Sequence, residues 1–146
     1  MQITMRSIGT VRTTAVKLPR HCRISNVKGY LEIDPPYIKG LADIKAGERI
    51  VVLFWFDRSP AFTPDLLRQT PPHRHRPFGI FSTCSPRRPN PIGMSVLEVL
   101  AVRGNIIDVN GLDMMDNTPI LDIKPYMELP AADGSKAGQT DAGPVS

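Results

Sequence analysis

Short apolar segments separated by turn-forming residues dominate the hydrophobic pattern of this chain, and most of them predict β-strands. They are rich in β-branched and aromatic residues and are bounded by Gly, Pro, Asn or Asp. Residues 49–56 form the most apolar segment, and we expect it to be a strand buried on both faces. The other predicted strands are residues 8–13, 29–33, 78–82, 95–103, 106–109 and 120–123.

Helical patterns are scarce, since only residues 64–69 and 41–46 predict a turn or two of helix. The 15 prolines and 11 glycines interrupt the chain in the manner of an all-β sandwich or barrel. Residues 131–146 contain almost nothing to bury. We therefore predict one all-β domain over residues 1–130, followed by a flexible tail.

Composition narrows the class of protein without deciding its function. A chain of 146 residues has room for one domain with a real core. No apolar stretch approaches the roughly 20 residues of a membrane span, and the N-terminus lacks the apolar region of a signal peptide. Two cysteines, Cys22 and Cys84, provide no disulfide framework, so we expect a cytoplasmic protein. The net charge of +4 is compatible with a polyanionic partner but does not establish one.

A proline-rich segment is the most distinctive part of the sequence. Pro86, Pro89 and Pro91 lie within six residues, with two arginines and Asn90 between them. Proline fixes φ and has no N–H to donate, so the segment fits neither a helix nor a central strand. We expect a stiff loop, held between strands, that presents polar side chains to a binding site.

Two further features each have two interpretations. The alternating His73-Arg74-His75 invites a metal site, but the spacing matches no standard zinc pattern, so we expect no metal. We interpret residues 71–76 as a basic surface loop that faces RNA phosphates.

Trp55 lies in the most apolar segment and is interpreted as a core residue, with a base-stacking platform as the alternative. No glycine-rich nucleotide-binding motif or Ser-His-Asp arrangement occurs, and the lack of the first argues against a Rossmann fold.

Two long motifs carry a family resemblance. Residues 79–95, GIFSTCSPRRPNPIGMS, and residues 111–126, GLDMMDNTPILDIKPY, resemble the signatures of the TsaA-like, or TrmO, family. The opening IGTVR is similar to the first strand of that family, and the likeness extends over residues 3–130. The resemblance implies a small closed β-barrel that forms a homodimer and binds S-adenosylmethionine. Characterised members methylate N6 of threonylcarbamoyl-adenosine beside the tRNA anticodon.

Matching motif positions imply which residues form the site, with the proline loop and the acidic bend at residues 113–116 meeting at one pocket. The resemblance implies contacts with the cofactor from Arg20, His21, Asp57, Arg58, Cys84, Ser85, Arg88, Asn90, Met94, Asp113, Met114, Met115 and Asp116. The expected substrate-binding residues are Arg74, Arg76, Arg87, Lys124 and Tyr126. Asp57 is the candidate general base, and an ordinary aspartate at a strand end is the alternative.

Three departures from the family pattern affect the expected site. Cys84 replaces an arginine, Asp57 replaces a histidine, and Asn117 stands where glycine is usual. A thiol cannot supply the charge or the forked donors of a guanidinium, so the cofactor contacts are expected to be rearranged. Longer bacterial members also carry an extra C-terminal domain.

These observations leave three functional hypotheses. The first is an S-adenosylmethionine-dependent methyltransferase that acts on threonylcarbamoyl-adenosine in tRNA. The second keeps the cofactor but changes the acceptor to a small molecule. The third is a non-catalytic barrel that binds S-adenosylmethionine or RNA.

Overall fold

The computed structural model describes residues 1–19 and 22–128. The predicted flexible tail lies outside this range, as do Arg20 and His21 from the expected cofactor site. No helix in the described part of the chain is long and apolar enough to span a bilayer.

Six antiparallel strands close into a barrel, which confirms the predicted all-β barrel. Around the barrel the strands run in the order β1, β2, β7, β6, β3, β8, and β8 pairs with β1 to complete the ring. A separate two-stranded hairpin is formed by β4 and β5. The strands are β1 (Gly9–Arg12), β2 (Lys28–Ile33), β3 (Arg49–Trp55), β4 (Arg68–Gln69), β5 (Phe78–Gly79), β6 (Ile92–Arg103), β7 (Ile106–Asn110) and β8 (Pro119–Pro125).

Apart from strands, residues 1–19 and 22–128 contain four short 3-10 helices, at Cys22–Ile24, Pro35–Leu41, Pro64–Leu67 and Ile80–Ser82. The third confirms the predicted turn near residues 64–69. The predicted turn at residues 41–46 is only partly right: a single turn is closed there by the Ile44 N–H donating to the Leu41 carbonyl at 3.1 Å. The 3-10 helix itself lies earlier, at Pro35–Leu41, where two prolines start it. The predicted strand at residues 78–82 is also mostly wrong: only its first two residues pair, and the rest coil into a 3-10 helix.

The barrel interior is filled by alternate side chains from every strand, as the two-residue period of a strand requires. The fully buried members include Val11, Leu31, Val52, Leu97 and Ile107, all with 0% exposure. Side chains at the two barrel ends, including Leu41 and Met114, cover this core.

Burial alternates along β3, so the prediction of a strand buried on both faces is wrong. Ile50, Val52 and Phe54 point into the core, while Val51, Leu53 and Trp55 are only half-buried on the outer face. A barrel strand has only one core-facing side, and a run of apolar residues cannot by itself reveal this. Leu53 lies opposite Met94 of β6, whose side chain is 67% exposed, so an apolar stripe crosses the outside of these two strands.

The register of β3 against β8 defines two ends of the barrel. Phe54 pairs with Ile120 at one end, and Ile50 pairs with Pro125 at the other. We call these the Trp55 end and the Arg49 end, after the last and first residues of β3. The β6–β7 turn lies at the Arg49 end, where Asn105 bonds the backbone of Ile33.

Candidate functional site

A cleft of about 390 Å³ opens at the Trp55 end of the barrel. Three segments that are distant in sequence meet there: the chain just after β3, the proline loop between β5 and β6, and the bend before β8. The lining residues are Phe54, Trp55, Phe56, Asp57, Arg58, Ser59, Pro60, Pro86, Arg87, Asp113, Met114, Met115 and Thr118.

Aromatic and sulfur-containing side chains form the apolar part of this cleft. The rings of Phe54 and Phe56 pack edge to face, with centroids 5.0 Å apart. Met114 is only 3% exposed and belongs to the barrel core, so it forms part of the floor rather than the rim. Trp55 lies on the outer face of β3 and lines the cleft, so its interpretation as a core residue is wrong. The walls suit a flat, polarisable ligand.

The acidic bend contributes one carboxylate to the cleft and uses the other for structure. Asp113 lines the cleft, and its Oδ1 accepts a hydrogen bond from the buried Ser95 hydroxyl at 2.5 Å. Asp116 does not line it, because its Oδ1 accepts the backbone N–H of Thr13 at 3.0 Å. Asp113 is therefore the residue of this pair that can face a ligand, and Asp116 anchors the bend to β1.

The backbone of the bend explains why Asn117 stands where the family usually has glycine. Asn117 has a φ of 68°, in the left-handed region that glycine enters most easily and that asparagine tolerates best among other residues. Its Oδ1 also accepts a hydrogen bond from the Arg12 guanidinium of β1. The substitution keeps the turn and adds a tie to the barrel.

Asp57 and Arg58 form the turn that follows β3. Their side chains are 3.8 Å apart at the nearest charged atoms, and both line the cleft. Arg58 also donates to the backbone carbonyl of Asp116, which joins this turn to the acidic bend. The cleft thus holds the carboxylates of Asp57 and Asp113 together with the guanidinium groups of Arg58 and Arg87.

The proline loop is held by its own side chains. Arg88 Nη1 donates to the carbonyl oxygens of Thr83 at 2.9 Å and Ser85 at 3.3 Å. The Ser85 hydroxyl donates to Gln69 Oε1 at 2.8 Å, and Gln69 Nε2 donates to the Arg87 carbonyl at 2.7 Å. Arg88 and Ser85 therefore brace the loop from within, while Pro86 and Arg87 reach the cleft.

The β4–β5 hairpin, residues 68–79, carries exposed cations close to this loop. The guanidinium carbons of Arg74 and Arg76 lie 5.4 and 4.2 Å from the centroid of the Phe78 ring. The Gln69 side chain of the same hairpin bonds the proline loop, so the hairpin and the cleft rim are mechanically connected.

Several predicted site residues lie away from the cleft of this chain. Cys84 and Asn90 are exposed on the proline loop, and Met94 projects from the outer face of β6. Lys124 and Tyr126 are at the Arg49 end, where Lys124 pairs with Asp122 at 2.7 Å. Arg49 covers the Tyr126 ring at 4.6 Å. Their assignment to ligand binding stays a prediction, and the barrel of one chain does not bring Lys124 or Tyr126 near the proline loop.

Sequence reasoning missed most of the aromatic wall and the Ser59 hydroxyl. A usable signal was present, because Phe54, Trp55 and Phe56 end a strand directly before the expected cofactor pair Asp57 and Arg58. A strand end that precedes site residues places its last side chains beside them.

A second cleft, of about 590 Å³, lies at the Arg49 end. Its basic residues are engaged with acidic neighbours: Lys124 with Asp122, and Arg49 with Glu128. Within residues 1–19 and 22–128, no group of three His, Cys, Asp or Glu side chains is placed to hold a metal ion. The proline loop, the acidic bend and the aromatic wall converge only on the first cleft of the described chain, which we take as the candidate site.

Comparison with known proteins gives a consistent result. Residues 7–133 match the family model of the tRNA-methyltransferase O N-terminal domain. A probable S-adenosyl-L-methionine-binding protein of Archaeoglobus fulgidus is 41% identical over 129 residues, which are 86% of this chain and 34% of the relative. The mouse (Mus musculus) tRNA (adenine(37)-N6)-methyltransferase is 36% identical over 87 residues, which are 60% of this chain and 20% of that protein.

The fold is also similar to a solved structure. A crystal structure of TrmO from Pseudomonas aeruginosa superposes with a TM-score of 0.71 at 26% identity and covers 97% of this chain. This chain accounts for 64% of that protein, so it spans less than two thirds of each of these three relatives.

Proposed function

Because this chain belongs to the tRNA-methyltransferase O family, we propose that it is an S-adenosylmethionine-dependent methyltransferase and that it methylates N6 of threonylcarbamoyl-adenosine in tRNA. The observation that carries the proposal is the meeting of the proline loop and the acidic bend at one cleft. The names of the relatives support both halves, since one is a probable S-adenosyl-L-methionine-binding protein and another is a tRNA (adenine(37)-N6)-methyltransferase.

The residues of the cleft fit this cofactor chemically. Its apolar walls suit the faces of an adenine ring, and its volume of about 390 Å³ is within the usual range for a small-ligand site. The carboxylate of Asp113, held by Ser95, suits a cationic sulfonium or an ammonium group. The guanidinium groups of Arg58 and Arg87 suit the carboxylate of the amino-acid portion. In this arrangement Arg58 and Arg87 take over the role that the family gives to the arginine replaced by Cys84.

Methyl transfer requires the protein mainly to position the cofactor and the acceptor nitrogen relative to each other. When bound, S-adenosylmethionine would supply an electrophilic methyl group: the acceptor nitrogen would bond to the methyl carbon in line as the carbon–sulfur bond breaks, with S-adenosylhomocysteine as the leaving group. The aromatic walls exclude water and orient the acceptor, and the hydrogen bonds of Arg88 keep Pro86 and Arg87 in place at the cleft. The acyl group on N6 already acidifies the departing proton, so a weak acceptor suffices. Asp57 is the candidate for that role, because its carboxylate is exposed at the cleft.

Two measurements test the proposal. Isothermal titration calorimetry should detect S-adenosylmethionine binding, and heat indistinguishable from dilution at millimolar ligand would refute the enzyme. Incubation with methyl-labelled cofactor and tRNA should then label only tRNA that carries the threonylcarbamoyl group. Cofactor binding without label in either tRNA would instead favour a small-molecule acceptor or a non-catalytic binding barrel.

The β4–β5 hairpin is the part of the surface that we propose for the tRNA backbone. Residues 66–97 contain five arginines and two histidines but no Asp or Glu, so no acidic side chain within this segment offsets their charge. Arg74 and Arg76 are exposed and are steadied against Phe78. Arg87 continues the same surface into the cleft. Lys124 and Tyr126 remain predicted substrate contacts for a part of the tRNA that reaches the Arg49 end.

Replacing Arg74 and Arg76 with alanine should weaken tRNA binding and flatten its dependence on salt. The logarithm of the tRNA binding constant falls with the logarithm of the salt concentration. Each lost phosphate contact reduces the magnitude of that slope by about 0.7 to 0.9, so the slope of the double variant should be shallower by about 1.5. Fluorescence anisotropy across a salt series measures the slope, and S-adenosylmethionine affinity should stay within about twofold.

A matched control removes the same charge at the Arg49 end. Lys39 and Arg103 are both exposed, and Arg103 bonds the two carboxylate oxygens of Asp108 at 2.6 and 2.9 Å, which lowers the pKa of that carboxyl. The Lys39→Ala/Arg103→Ala double variant should keep the wild-type salt slope. Equal slopes in the two double variants would mean that net charge, rather than the hairpin, governs tRNA binding.

We also propose that the protein is a cytoplasmic homodimer, as its family resemblance implies. The apolar stripe on the outer face of β3 and β6, which contains Leu53 and Met94, supports a second copy as the partner. It lies beside the Trp55 end, so a partner there would bring its own residues close to the proline loop. Sedimentation analysis of wild-type protein and of Leu53→Glu/Met94→Glu tests this, and a monomeric wild-type protein would overturn it.

A further inference from the structure

One polar atom in the candidate cleft has no explanation within the folded chain. In the part of the chain that the structure describes, Ser59 Oγ is buried and has no hydrogen-bond partner, and the same is true of only one other side-chain atom, Asn110 Oδ1. A buried hydroxyl without a hydrogen-bond partner is unfavourable. In natural structures such a group nearly always bonds to protein, to a ligand or ion, or to an ordered water. Ser59 lines the cleft, whereas Asn110 does not.

The surroundings of Ser59 indicate what kind of group would complete it. Its backbone N–H donates to the carbonyl of Phe56 at 3.4 Å, so the turn itself is satisfied without the hydroxyl. Its neighbours along the chain, Trp55, Phe56 and Pro60, supply flat or rigid apolar surfaces to the same cleft. The charged side chains nearest in sequence, Asp57 and Arg58, pair with each other and with the acidic bend. A flat ring that packs its faces against these apolar surfaces would place a polar atom on its edge next to the Ser59 hydroxyl.

We infer that the Ser59 hydroxyl hydrogen-bonds the polar edge of the purine nucleoside that occupies this cleft, and so contributes to ligand selection. Serine can donate one hydrogen bond and accept two, which suits the mixed donors and acceptors of a purine. The inference rests on the proposed function, since that function supplies a nucleoside in two forms, the cofactor and the acceptor adenosine. The experiment must therefore distinguish these two sources.

The test compares wild-type protein with Ser59→Ala in the full chain. Calorimetry with S-adenosylhomocysteine and with methylthioadenosine, which lacks the amino-acid portion, tests for a contact with the cofactor nucleoside. Steady-state methylation of threonylcarbamoylated tRNA tests for a contact with the acceptor adenosine. If Ser59 contacts the cofactor nucleoside, the affinity for both small ligands should fall by about tenfold, as expected for one lost hydrogen bond. If it contacts the acceptor, KM for tRNA should rise by a similar factor while both small ligands bind normally.

The Tm of the ligand-free protein shows whether the Ser59 hydroxyl serves ligand binding or stabilises the fold. Removing an unpaired buried hydroxyl should leave Tm unchanged or raise it by a few degrees. The matched control is Ser25→Ala, because the buried Ser25 hydroxyl donates to the Leu112 carbonyl at 2.5 Å and accepts from Val27 N–H at 3.1 Å. That variant should lose about 3 °C or more in Tm.

Three results would overturn the inference. A Ser59→Ala protein with wild-type affinity for both small ligands and a wild-type KM for tRNA would show that the hydroxyl contacts no ligand. A loss of affinity for S-adenosylhomocysteine with none for methylthioadenosine would place Ser59 at the amino-acid portion instead of the nucleoside. Wild-type protein that binds none of these ligands would overturn the proposed function, and this inference with it.

Discussion

Gly93→Ala should destabilise the protein by about 3 kcal/mol and abolish most ligand binding in the cleft. A Cβ atom built on Gly93 would lie 2.8 Å from Cε1 of Phe54 and closer still to two other atoms of the ring. Phe54 is 3% exposed, so its ring has little free space and must move toward the cleft or strain the barrel. Overpacking of this kind costs about 1–3 kcal/mol. Losing the edge-to-face contact with Phe56 adds about 0.5–1.5 kcal/mol.

Urea unfolding measures the loss of stability, and calorimetry with S-adenosylmethionine measures the loss of binding. Gly79→Ala is the matched control, because a Cβ there meets nothing within 4 Å and its φ of −59° suits any residue. The control should stay within about 0.5 kcal/mol of wild type. Adding Phe54→Leu to Gly93→Ala should recover part of the stability, since leucine is shorter than the ring. A Gly93→Ala protein as stable as wild type would mean that the Phe54 ring is not fixed where the structure has it.

The strands were the part of the fold that the sequence made predictable. Seven strands were expected from short β-branched runs, and the centres of six agree with the barrel strands β1, β2, β3, β6, β7 and β8. The seventh, at residues 78–82, shares only its first two residues with β5. β4 was missed because a two-residue strand has no period to detect. β6 starts at Ile92, three residues before the prediction, because the proline loop ends sooner than its proline content suggests.

Burial was less predictable than pairing. The apolar run of β3 looks the same whether both faces are buried or one face lies on an exposed apolar stripe. Barrel closure decides between these options, and closure depends on pairing between β1 and β8, which are over 100 residues apart. No local pattern contains that information.

The candidate site was predictable as a meeting of two segments, but not in its details. The motifs indicated that the proline loop and the acidic bend belong together, and both line one cleft. The roles of individual residues depended on hydrogen bonds that a sequence does not reveal. Asp113 and Asp116 are equivalent in the motif, yet only Asp113 faces the cleft, because Asp116 bonds the Thr13 backbone.

Arg88→Ala should reduce affinity for S-adenosylmethionine by at least tenfold while costing the fold only about 1–2 kcal/mol. The Arg88 guanidinium ties the Thr83 and Ser85 carbonyls together across the loop. A hydrogen bond to a charged group contributes about 1.5–3 kcal/mol net, and the cost here stays near the low end because both bonds are only part-buried. The half-buried side chain lies outside the cleft, so the effect on binding must pass through Pro86 and Arg87. Calorimetry measures the affinity, and hydrogen exchange of residues 83–91 measures loosening of the loop.

Arg88→Lys separates bracing from charge. Lysine keeps the positive charge, but both bonds to the Thr83 and Ser85 carbonyls come from Nη1 at the far end of the guanidinium. The lysine side chain is one bond shorter and its ammonium is more strongly hydrated, so it does not reproduce this bridge. We expect faster amide exchange and an affinity close to that of Arg88→Ala. Arg87→Ala, with the same loss of charge on the exposed neighbour, should leave exchange in the loop unchanged, because no hydrogen bond of the described structure uses the Arg87 side chain to hold the loop. Wild-type affinity in Arg88→Lys would show that ligand binding depends on the positive charge at this position and not on the two bonds to the loop carbonyls. Arg88 would then act on the ligand by electrostatic attraction.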